Sequence, residues 1–540
     1  MLKKIIQFTS LAVFIFLLGA AVSGFIWEPD IFLRLDPGLA ILTIICSKAF
    51  TTEYLPAVIL LMTTPFLGRI FCGYICPMGT TIDYSDACFG NNSAESKNRG
   101  RLLYAKYLIL IFIAAGAVLG VSLVFTASPL SLITRFYGLL VYPVLAFISE
   151  QALNLIHPLA DRFDWRFLSF ASISAPRFAS RFFILFFFAA VFACIKISPR
   201  FWCRYICPSG AVSALFSYKP LIRRQVSEDC INCGKCAKKC PMNAIDPDKP
   251  ETTLHMECIV CRTCETVCPV NAVKFGFGSS ETGRYPTALS RRNFVYSGFA
   301  GAAAAVMCMT GLDSVYGKLA EGQVKPPGLL RPPGSLPEPD FLALCVRCGE
   351  CMAVCPTNTL QPLWFKAGFT GIFSPAITPR RRYCDPRCSR CGQVCPTGAI
   401  QELLPDQRIW AKTGTAVILR QKCLAWEHQK SCMVCDEVCP FNAIEFKKEP
   451  GNPFAVPHVK EDKCAGCGYC EHFCPVQNQA AIVISPMGEL RLSTPDYEKQ
   501  GKAGGLDLRL KAGTKDNTLP YSVEEYNDFE DIAPGFDHGE

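Results

Sequence analysis

The stretch CINCGKCAKKCP occupies residues 230–241, and CIVCRTCETVCP follows it at residues 258–269. Both have the spacing C-x2-C-x2-C-x3-C-P, in which cysteine thiolates bind a [4Fe–4S] cluster. Structural zinc favours two separated C-x2-C pairs, and disulfides are the other alternative for so many cysteines. The crowded spacing before a proline favours clusters over both.

In a pair of such runs, three cysteines of one run bind a cluster and the fourth binds the cluster of the other run. We therefore expect residues 223–280 to form an α+β ferredoxin-like domain with two [4Fe–4S] clusters. The expected ligands are Cys230, Cys233, Cys236 and Cys268 for one cluster, and Cys258, Cys261, Cys264 and Cys240 for the other.

Four further cysteine groups in the second half of the chain predict four more clusters, six in all. Two groups keep the regular spacing, and two have a longer first gap, as when a longer loop supplies the first ligand. The regular groups are Cys345, Cys348, Cys351, Cys355 and Cys464, Cys467, Cys470, Cys474. The irregular groups are Cys384, Cys388, Cys391, Cys395 and Cys423, Cys432, Cys435, Cys439.

The first 222 residues predict a membrane domain of four helices. The chain has 540 residues, of which 50% are hydrophobic, and a mean hydropathy of +0.24. Four apolar stretches are long enough, or nearly so, to cross a bilayer core of about 30 Å. They are Ile5–Phe25, Leu55–Phe71, Leu102–Phe125 and Arg181–Ile197. Basic residues flank them on one side, which indicates that both ends of this domain face the cytoplasm.

Two shorter apolar runs, Leu39–Phe50 and Leu132–Ile148, are expected to be re-entrant or interfacial rather than spanning. The N-terminal stretch has the alternative of a cleaved signal peptide. Its apolar run is long and no A-x-A site follows, so we expect an anchor.

The membrane domain contains a repeat, RIFCGYICPMG at residues 69–79 and RFWCRYICPSG at residues 200–210. Two pseudo-symmetric hairpins of this kind would bring four thiols together at the membrane surface, as a metal or cluster site or as redox-active dithiols. The alternative is that the cysteines simply pack helix ends. The four thiols are Cys72, Cys76, Cys203 and Cys207. The remaining single cysteines, which are expected to pack in or near the membrane, are Cys46, Cys88, Cys194 and Cys308.

The stretch ALSRRNFVYSGFAGAAAAVMCMTGL at residues 288–312 has the features of a twin-arginine export signal. It predicts a fifth membrane helix, a signal anchor within residues 281–315, which places the second half of the chain outside the cytoplasm. The alternative is that Arg291 and Arg292 are only positive-inside flanking residues. After this helix come a Pro-rich linker (316–340), the second ferredoxin domain (341–485) and an acidic tail (486–540).

The sequence lacks the motifs of several other cofactors and ligands. It has no C-x-x-C-H, only six histidines, no nucleotide-binding motif and no flavin motif, so we expect neither haem nor flavin and no nucleic acid. The expected fold class is an α-helical membrane domain, with four helices and a fifth signal-anchor helix, joined to two α+β ferredoxin-like polyferredoxin domains.

The first half resembles the NapH-type membrane polyferredoxin of periplasmic nitrate reductase systems, in its four helices, two C-x3-C-P motifs and two ferredoxin runs. The second half resembles the NapG (MauM-like) ferredoxins, in the Arg291/Arg292 signal, the stretch RPPGSLPEPDFLALC and four cluster motifs. The resemblance implies that motif one shares ligands with motif four, and motif two with motif three. The fourth ligands would be Cys474 for the Cys345 group, Cys355 for the Cys464 group, Cys439 for the Cys384 group and Cys395 for the Cys423 group.

The resemblance also implies electron transfer between the quinol pool and a periplasmic cytochrome or reductase, from the inner membrane. Glu53, Arg135, Glu150 and His157 are candidates for proton handling at a quinone. One alternative is a maturation protein that supplies electrons or handles metal for a periplasmic enzyme. Another is a ferredoxin assembly that lies entirely on the cytoplasmic side.

Overall fold

The computed structural model describes residues 2–24, 30–89, 100–163, 165, 175–178, 181–277, 291–309, 328–364 and 367–511. The beginning of the predicted export signal, residues 316–327 of the Pro-rich linker and the acidic end of the tail lie outside these residues. We refer to residues 2–216 as the N-terminal segment, 222–277 as the central segment and 328–511 as the C-terminal segment.

The N-terminal segment is helical. Its α-helices are Leu2–Val22, Ile31–Arg34, Pro37–Ser47, Leu55–Leu67, Pro77–Phe89, Ala105–Val118, Pro129–Phe136, Tyr142–Arg162, Arg181–Ala193, Phe201–Tyr205 and Pro208–Phe216. Short 3-10 turns lie at Thr52–Tyr54, Gly100–Tyr104, Val124–Thr126 and Cys194–Lys196, and π-helical turns at Phe71–Ile75 and Tyr137–Val141.

Within the described part of the chain, two helical stretches are long and apolar enough to cross a membrane, judged by length and composition: Leu2–Val22 and Pro129–Pro158. The second contains the run Leu132–Ile148, which was predicted to be re-entrant or interfacial, within a longer helical stretch. Its polar residues Ser131, Thr134 and Arg135 are buried, and the Ser131 hydroxyl donates to the Val346 carbonyl oxygen at 2.6 Å. The helices at the second, third and fourth predicted spans are shorter, with 13, 14 and 13 residues.

Helix Arg291–Met309 forms where the fifth helix was predicted, although it is not one of the two candidate spans. It packs along helix Ala105–Val118. The Ser297 hydroxyl donates to the Leu108 carbonyl oxygen at 2.6 Å, and a Cβ atom built on Gly301 would lie 2.2 Å from the carbonyl oxygen of Phe112. Because both contacts advance in the same direction along the two helices, the helices run parallel.

The central and C-terminal segments consist of short helices and two-stranded antiparallel ribbons. The ribbons pair Ile222–Val226 with Val273–Phe277, Leu360–Pro362 with Pro375–Ile377, Thr415–Ile418 with Ile482–Ser485, and Ile444–Lys448 with Ala455–Val459. The helices are Lys235–Lys238, Thr263–Thr266, Glu338–Leu344, Glu350–Ala353, Arg390–Gln393, Pro405–Trp410, Val434–Glu437, Tyr469–His472 and Tyr497–Ala503, with 3-10 turns at Phe369–Gly371 and Arg420–Lys422.

The two ferredoxin segments contact opposite ends of the helical segment. At the start of helix Leu2–Val22, Lys3 pairs with Asp83, and the Gln7 amide donates to the carbonyl oxygen of Gly73, next to the central segment. At the other end of that helix, a Cβ atom built on Gly24 would lie 2.9 Å from the Arg390 guanidinium of the C-terminal segment. The 21 residues of this helix correspond to about 32 Å.

Candidate iron–sulfur sites

Four cavities of about 310 to 410 Å³ are each lined by four of the predicted ligand cysteines. In the central segment, the two sets match the prediction. They are Cys230, Cys233, Cys236 with Cys268, and Cys240 with Cys258, Cys261, Cys264. In the C-terminal segment, the two sets are Cys439 with Cys464, Cys467, Cys470, and Cys423, Cys432, Cys435 with Cys474.

The ligand pairing implied for the C-terminal segment is wrong, because consecutive motifs lie together. Cys474 lines the cavity of the Cys423 group, and Cys439 lines that of the Cys464 group. Likewise, Cys355 lies close enough to Cys384, Cys388 and Cys391 for its charge to act on them. Cys395 lies similarly close to the first motif, where its charge and those of Cys345, Cys348 and Cys351 act on one another.

Antiparallel ribbons account for this arrangement. Strands Leu360–Pro362 and Pro375–Ile377 fold the chain back between the first two motifs, and the Thr357 hydroxyl then donates to the Tyr383 carbonyl oxygen at 2.7 Å. Strands Ile444–Lys448 and Ala455–Val459 do the same between the last two motifs. Because each ribbon pairs two strands that lie between consecutive motifs, it brings those two motifs together.

The chemistry of these sites fits iron–sulfur clusters. Besides lining the cavities, several cysteines accept hydrogen bonds from backbone amides, which stabilise a thiolate or cluster-bound sulfur. The distances from amide nitrogen to Sγ are 3.3 to 3.4 Å. The acceptors are Cys240, Cys268, Cys395, Cys439, Cys464 and Cys474.

The cysteine groups of the C-terminal segment follow one another in space. The Cys345 group adjoins the Cys384 group through Cys351 and Cys391, and the Cys384 N–H donates to the Cys467 carbonyl oxygen at 2.8 Å. Cys470 lies close enough to Cys435 for their charges to interact, which places the Cys464 group next to the Cys423 group. The order from the helical segment outward is therefore the Cys345, Cys384, Cys464 and Cys423 groups.

The Cys423 group ends this series and includes an exposed loop between its first two cysteines. Residues 427–431 are exposed, and they lie in the long gap between Cys423 and Cys432. The irregular spacing seen in the sequence is therefore an exposed loop within the group that ends the series.

The repeat of the N-terminal segment does bring its four cysteines together. We call Cys72, Cys76, Cys203 and Cys207 the four-thiol site. Burial raises the pKa of Cys203 to about 11, with Cys72 adding to the increase, and burial raises that of Cys76, with contributions from Cys72 and Cys203. Among the residues that the structure describes, no three His, Cys, Asp or Glu side chains are arranged to hold a single metal ion.

The proline of each C-x3-C-P motif begins a helix instead of ending one. Pro77 and Pro208 are the first residues of helices Pro77–Phe89 and Pro208–Phe216. The cysteines before them, Cys76 and Cys207, are bent out of helical geometry, with ψ angles of 115° and 112°. Proline favours this conformation in the residue that precedes it.

Sequence reasoning missed the charged residues around the four-thiol site. Arg69 and Arg200 each lie three residues before the first cysteine of a motif, and both are buried. Arg200 pairs with Asp83 at 2.6 Å and Arg69 with Glu257 at 3.4 Å. The arginine is visible in both copies of the repeat, but nothing in the sequence identifies its acidic partner.

The candidates for quinone proton handling lie in different surroundings. Glu53 pairs with Arg34, and the buried Arg135 donates to the Phe125 carbonyl oxygen at 2.6 Å, near the C-terminal segment. Glu150 and His157 are half-buried in helix Tyr142–Arg162.

Comparison with known proteins agrees with the cysteine pairing. A family model described as "4Fe-4S dicluster domain" matches residues 229–272, 344–399 and 430–478, each of which holds cysteines of two consecutive motifs. A second, described as "4Fe-4S binding domain", matches residues 51–91, 180–227 and 391–413. The first two of these ranges contain the cysteines of the four-thiol site.

Several ferredoxin-type proteins are similar to part of this chain. The methylamine utilization ferredoxin-type protein MauM of Methylorubrum extorquens is 36% identical over 40% of this chain and 98% of its own length. The ferredoxin-type protein NapF of Haemophilus influenzae is 41% identical over 27% of this chain and 75% of its own. The ferredoxin-type protein NapG of Escherichia coli is 33% identical over 29% and 71%. With its cysteine groups paired as dicluster units, this chain belongs to the ferredoxin-type iron–sulfur proteins of the NapG and MauM kind.

Proposed function

We propose that this protein is an inner-membrane electron carrier that passes single electrons between the quinol pool and a periplasmic reductase chain. The observation that carries the proposal is the position of helix Leu2–Val22. It is long enough for a bilayer core of about 30 Å, and the central and C-terminal segments lie at its opposite ends.

On this proposal the chain is a NapH-type membrane protein fused to a NapG-type partner. The parallel packing of helix Arg291–Met309 on helix Ala105–Val118 supports the fusion. Lys106, near the start of helix Ala105–Val118, contacts Glu257 of the central segment, whereas Ser122, just past its end, contacts Arg347 of the C-terminal segment. Because helix Arg291–Met309 runs in the same direction as helix Ala105–Val118, it ends on the side where the C-terminal segment docks.

The cysteine groups supply the route. A bound [4Fe–4S] cluster takes up and releases one electron at a time. This chain has six cysteine groups for such clusters, a series of two in the central segment and a series of four in the C-terminal segment. An end of each series is exposed. Cys233 is exposed at the end of the central series, and the loop 427–431 is exposed at the end of the C-terminal series.

The quinol part of the proposal rests on the resemblance and on the buried polar residues near the Cys345 group. Arg135 lies close enough to Cys345 and Cys348 for its charge to act on them. If menaquinol or ubiquinol leaves the clusters of the purified protein oxidised, this part of the proposal is wrong.

The four converging thiols favour one second candidate, a maturation protein that handles metal or electrons for a periplasmic enzyme. A Cys72→Ser strain separates the two functions. Unchanged electron flux with an inactive, metal-poor reductase would support maturation, whereas lost flux to a metal-loaded reductase would support the electron carrier.

The side of the membrane on which the C terminus lies tests the main proposal. A tag after residue 540 is expected to be degraded by protease in spheroplasts of the wild type and to be protected in the Arg291→Lys/Arg292→Lys variant. The matched control is Arg381→Lys/Arg382→Lys, a second arginine pair at an exposed position, which should behave as wild type. A protected tag in the wild type would overturn the proposal.

A further inference from the structure

Arg224 lies between the two cysteine groups of the central segment. It belongs to strand Ile222–Val226, and its side chain is buried. One guanidinium nitrogen donates to the Sγ atom of Cys236 at 3.4 Å, and Cys236 lines the cavity of the Cys230 group. Arg224 itself lines the cavity of the Cys258 group. A single cation therefore faces both groups.

Thr253 holds this guanidinium in place. The Thr253 hydroxyl accepts a hydrogen bond from the other terminal nitrogen of Arg224 at 2.9 Å, and Thr253 is also buried. An antiparallel bridge to Ile245 fixes the position of Thr253. The guanidinium is therefore held between the two groups rather than free to turn towards solvent.

The neighbouring carboxylates have cationic partners of their own. Glu257 lies 2.5 Å from the ammonium group of Lys106. Glu265 lies 3.9 Å from the guanidinium of Arg262. Arg224 forms no ion pair within the part of the chain that the structure describes. Because a buried charge requires a counter-charge, the thiolates and clusters beside Arg224 are the groups that supply it.

A second buried arginine makes the same kind of contact in the C-terminal segment. Arg408 belongs to helix Pro405–Trp410, and its guanidinium donates to the Sγ atom of Cys384 at 3.2 Å. It also donates to the carbonyl oxygens of Asp385 and Cys388, both at 2.8 Å. These contacts fix a cation against the Cys384 group.

We propose that Arg224 and Arg408 set the reduction potentials of the clusters that they contact. Arg224 raises the potentials of both clusters of the central segment, and Arg408 raises that of the Cys384 group. A [4Fe–4S] cluster on four thiolates carries a charge of about −2 when oxidised and about −3 when reduced. A fixed cation therefore stabilises the reduced form more than the oxidised form. The backbone amides that donate to other cysteine sulfurs bring a dipole but no net charge.

The consequence for electron transfer rests on the proposed function. Because one guanidinium acts on both groups of the central segment, their potentials rise together and the step between them stays close to level. That step moves one electron from the reduced cluster to the oxidised one, with no bond or proton exchanged. Arg224 thus serves the pair of clusters rather than one of them.

The test is a redox titration of the full chain, purified without oxygen in detergent and followed by electron paramagnetic resonance. The two signals lost in Cys236→Ala/Cys264→Ala identify the clusters of the central segment. In Arg224→Gln, the midpoint potentials of both signals are expected to fall, while iron content and the other potentials stay unchanged.

Arg223→Gln is the matched control. It removes the same charge one residue earlier on the same strand, where the side chain points to the opposite face. Its effect on the two potentials should be much smaller. Arg224→Lys keeps the charge, so it should restore at least part of the fall seen in Arg224→Gln.

Arg408→Gln is an independent measurement. It should lower one potential, that of the signal lost in Cys384→Ala, and leave the two signals of the central segment unchanged. Because the two arginines lie in different segments, a fall of all potentials in either variant would indicate a general change of structure and would overturn the inference.

Three further results would overturn the assigned role of Arg224. They are unchanged potentials in Arg224→Gln, an equal fall in Arg223→Gln, and a loss of iron that Arg224→Lys does not restore. Lowered potentials together with a C terminus on the cytoplasmic side would keep the inference and overturn the proposed function. Unchanged potentials with a C terminus outside the cytoplasm would do the reverse.

Discussion

The ammonium group of Lys106 lies 2.5 and 2.6 Å from the two carboxylate oxygens of Glu257, and both side chains are fully buried. The pair joins the start of helix Ala105–Val118 to the residue before Cys258. It therefore fixes the central segment on the N-terminal segment.

Replacing only one member of this pair should destabilise the docked arrangement. We expect Glu257→Gln to lower the free energy of unfolding by about 3–5 kcal/mol, because it leaves buried cations without their carboxylate. Chemical denaturation in detergent measures the change. Glu498→Gln, which breaks the exposed pair with Lys502, is the matched control and should cost at most about 0.5 kcal/mol. Equal effects of the two variants would contradict the assigned role of Glu257.

The pairing of consecutive motifs predicts which cysteine variants remove the same cluster. Cys435→Ala/Cys474→Ala should lose one cluster, about four irons per chain, because both residues line one cavity. Cys351→Ala/Cys474→Ala should lose two clusters, about eight irons. If motif one instead shared ligands with motif four, the first variant would lose two clusters and the second would lose one. Iron analysis of the two variants therefore decides between the two pairings.

Close packing of the fifth helix predicts that Gly301 does not tolerate a side chain. Gly301→Leu should lower the free energy of unfolding by about 1–3 kcal/mol or more, because the new atoms meet the backbone at Phe112. Thermal unfolding in detergent measures the loss. Gly19→Leu, at a helical glycine with no neighbouring atom within 4 Å, is the control. A Gly301→Leu chain as stable as this control would mean that the helix is not packed as described.

Burial lowers the pKa of His255 to about 4, and Arg223 and Arg224 add to the decrease. The unfolded chain therefore takes up a proton near pH 6.5 that the folded chain does not. Stability from this residue is present above pH 6.5 and is lost as the pH falls towards 4, by about 2 kcal/mol at pH 5. The difference in unfolding free energy between pH 7 and pH 5 should be smaller in His255→Gln than in wild type. An unchanged difference would contradict this, and His428→Gln, at an exposed position, serves as control.

The sequence was sufficient for features that depend on short-range spacing. The groups of the central segment, helix Arg291–Met309 and the convergence of the four thiols followed from cysteine spacing, a polar-to-apolar boundary and a repeat. The pairing of the C-terminal groups was not accessible in this way, because it depends on where two ribbons close. Nor was the burial of Ser131 and Arg135, which are hydrogen-bonded inside the protein.

Helix Arg291–Met309 has a consequence for assembly. Because it is both the connection between the two halves and a packed part of the first half, the docking of the C-terminal segment is an intramolecular event. Its extent does not depend on the protein concentration, since a linked partner is present at a high effective concentration. One gene thus fixes a one-to-one ratio of the two halves, and neither half has to find the other by diffusion.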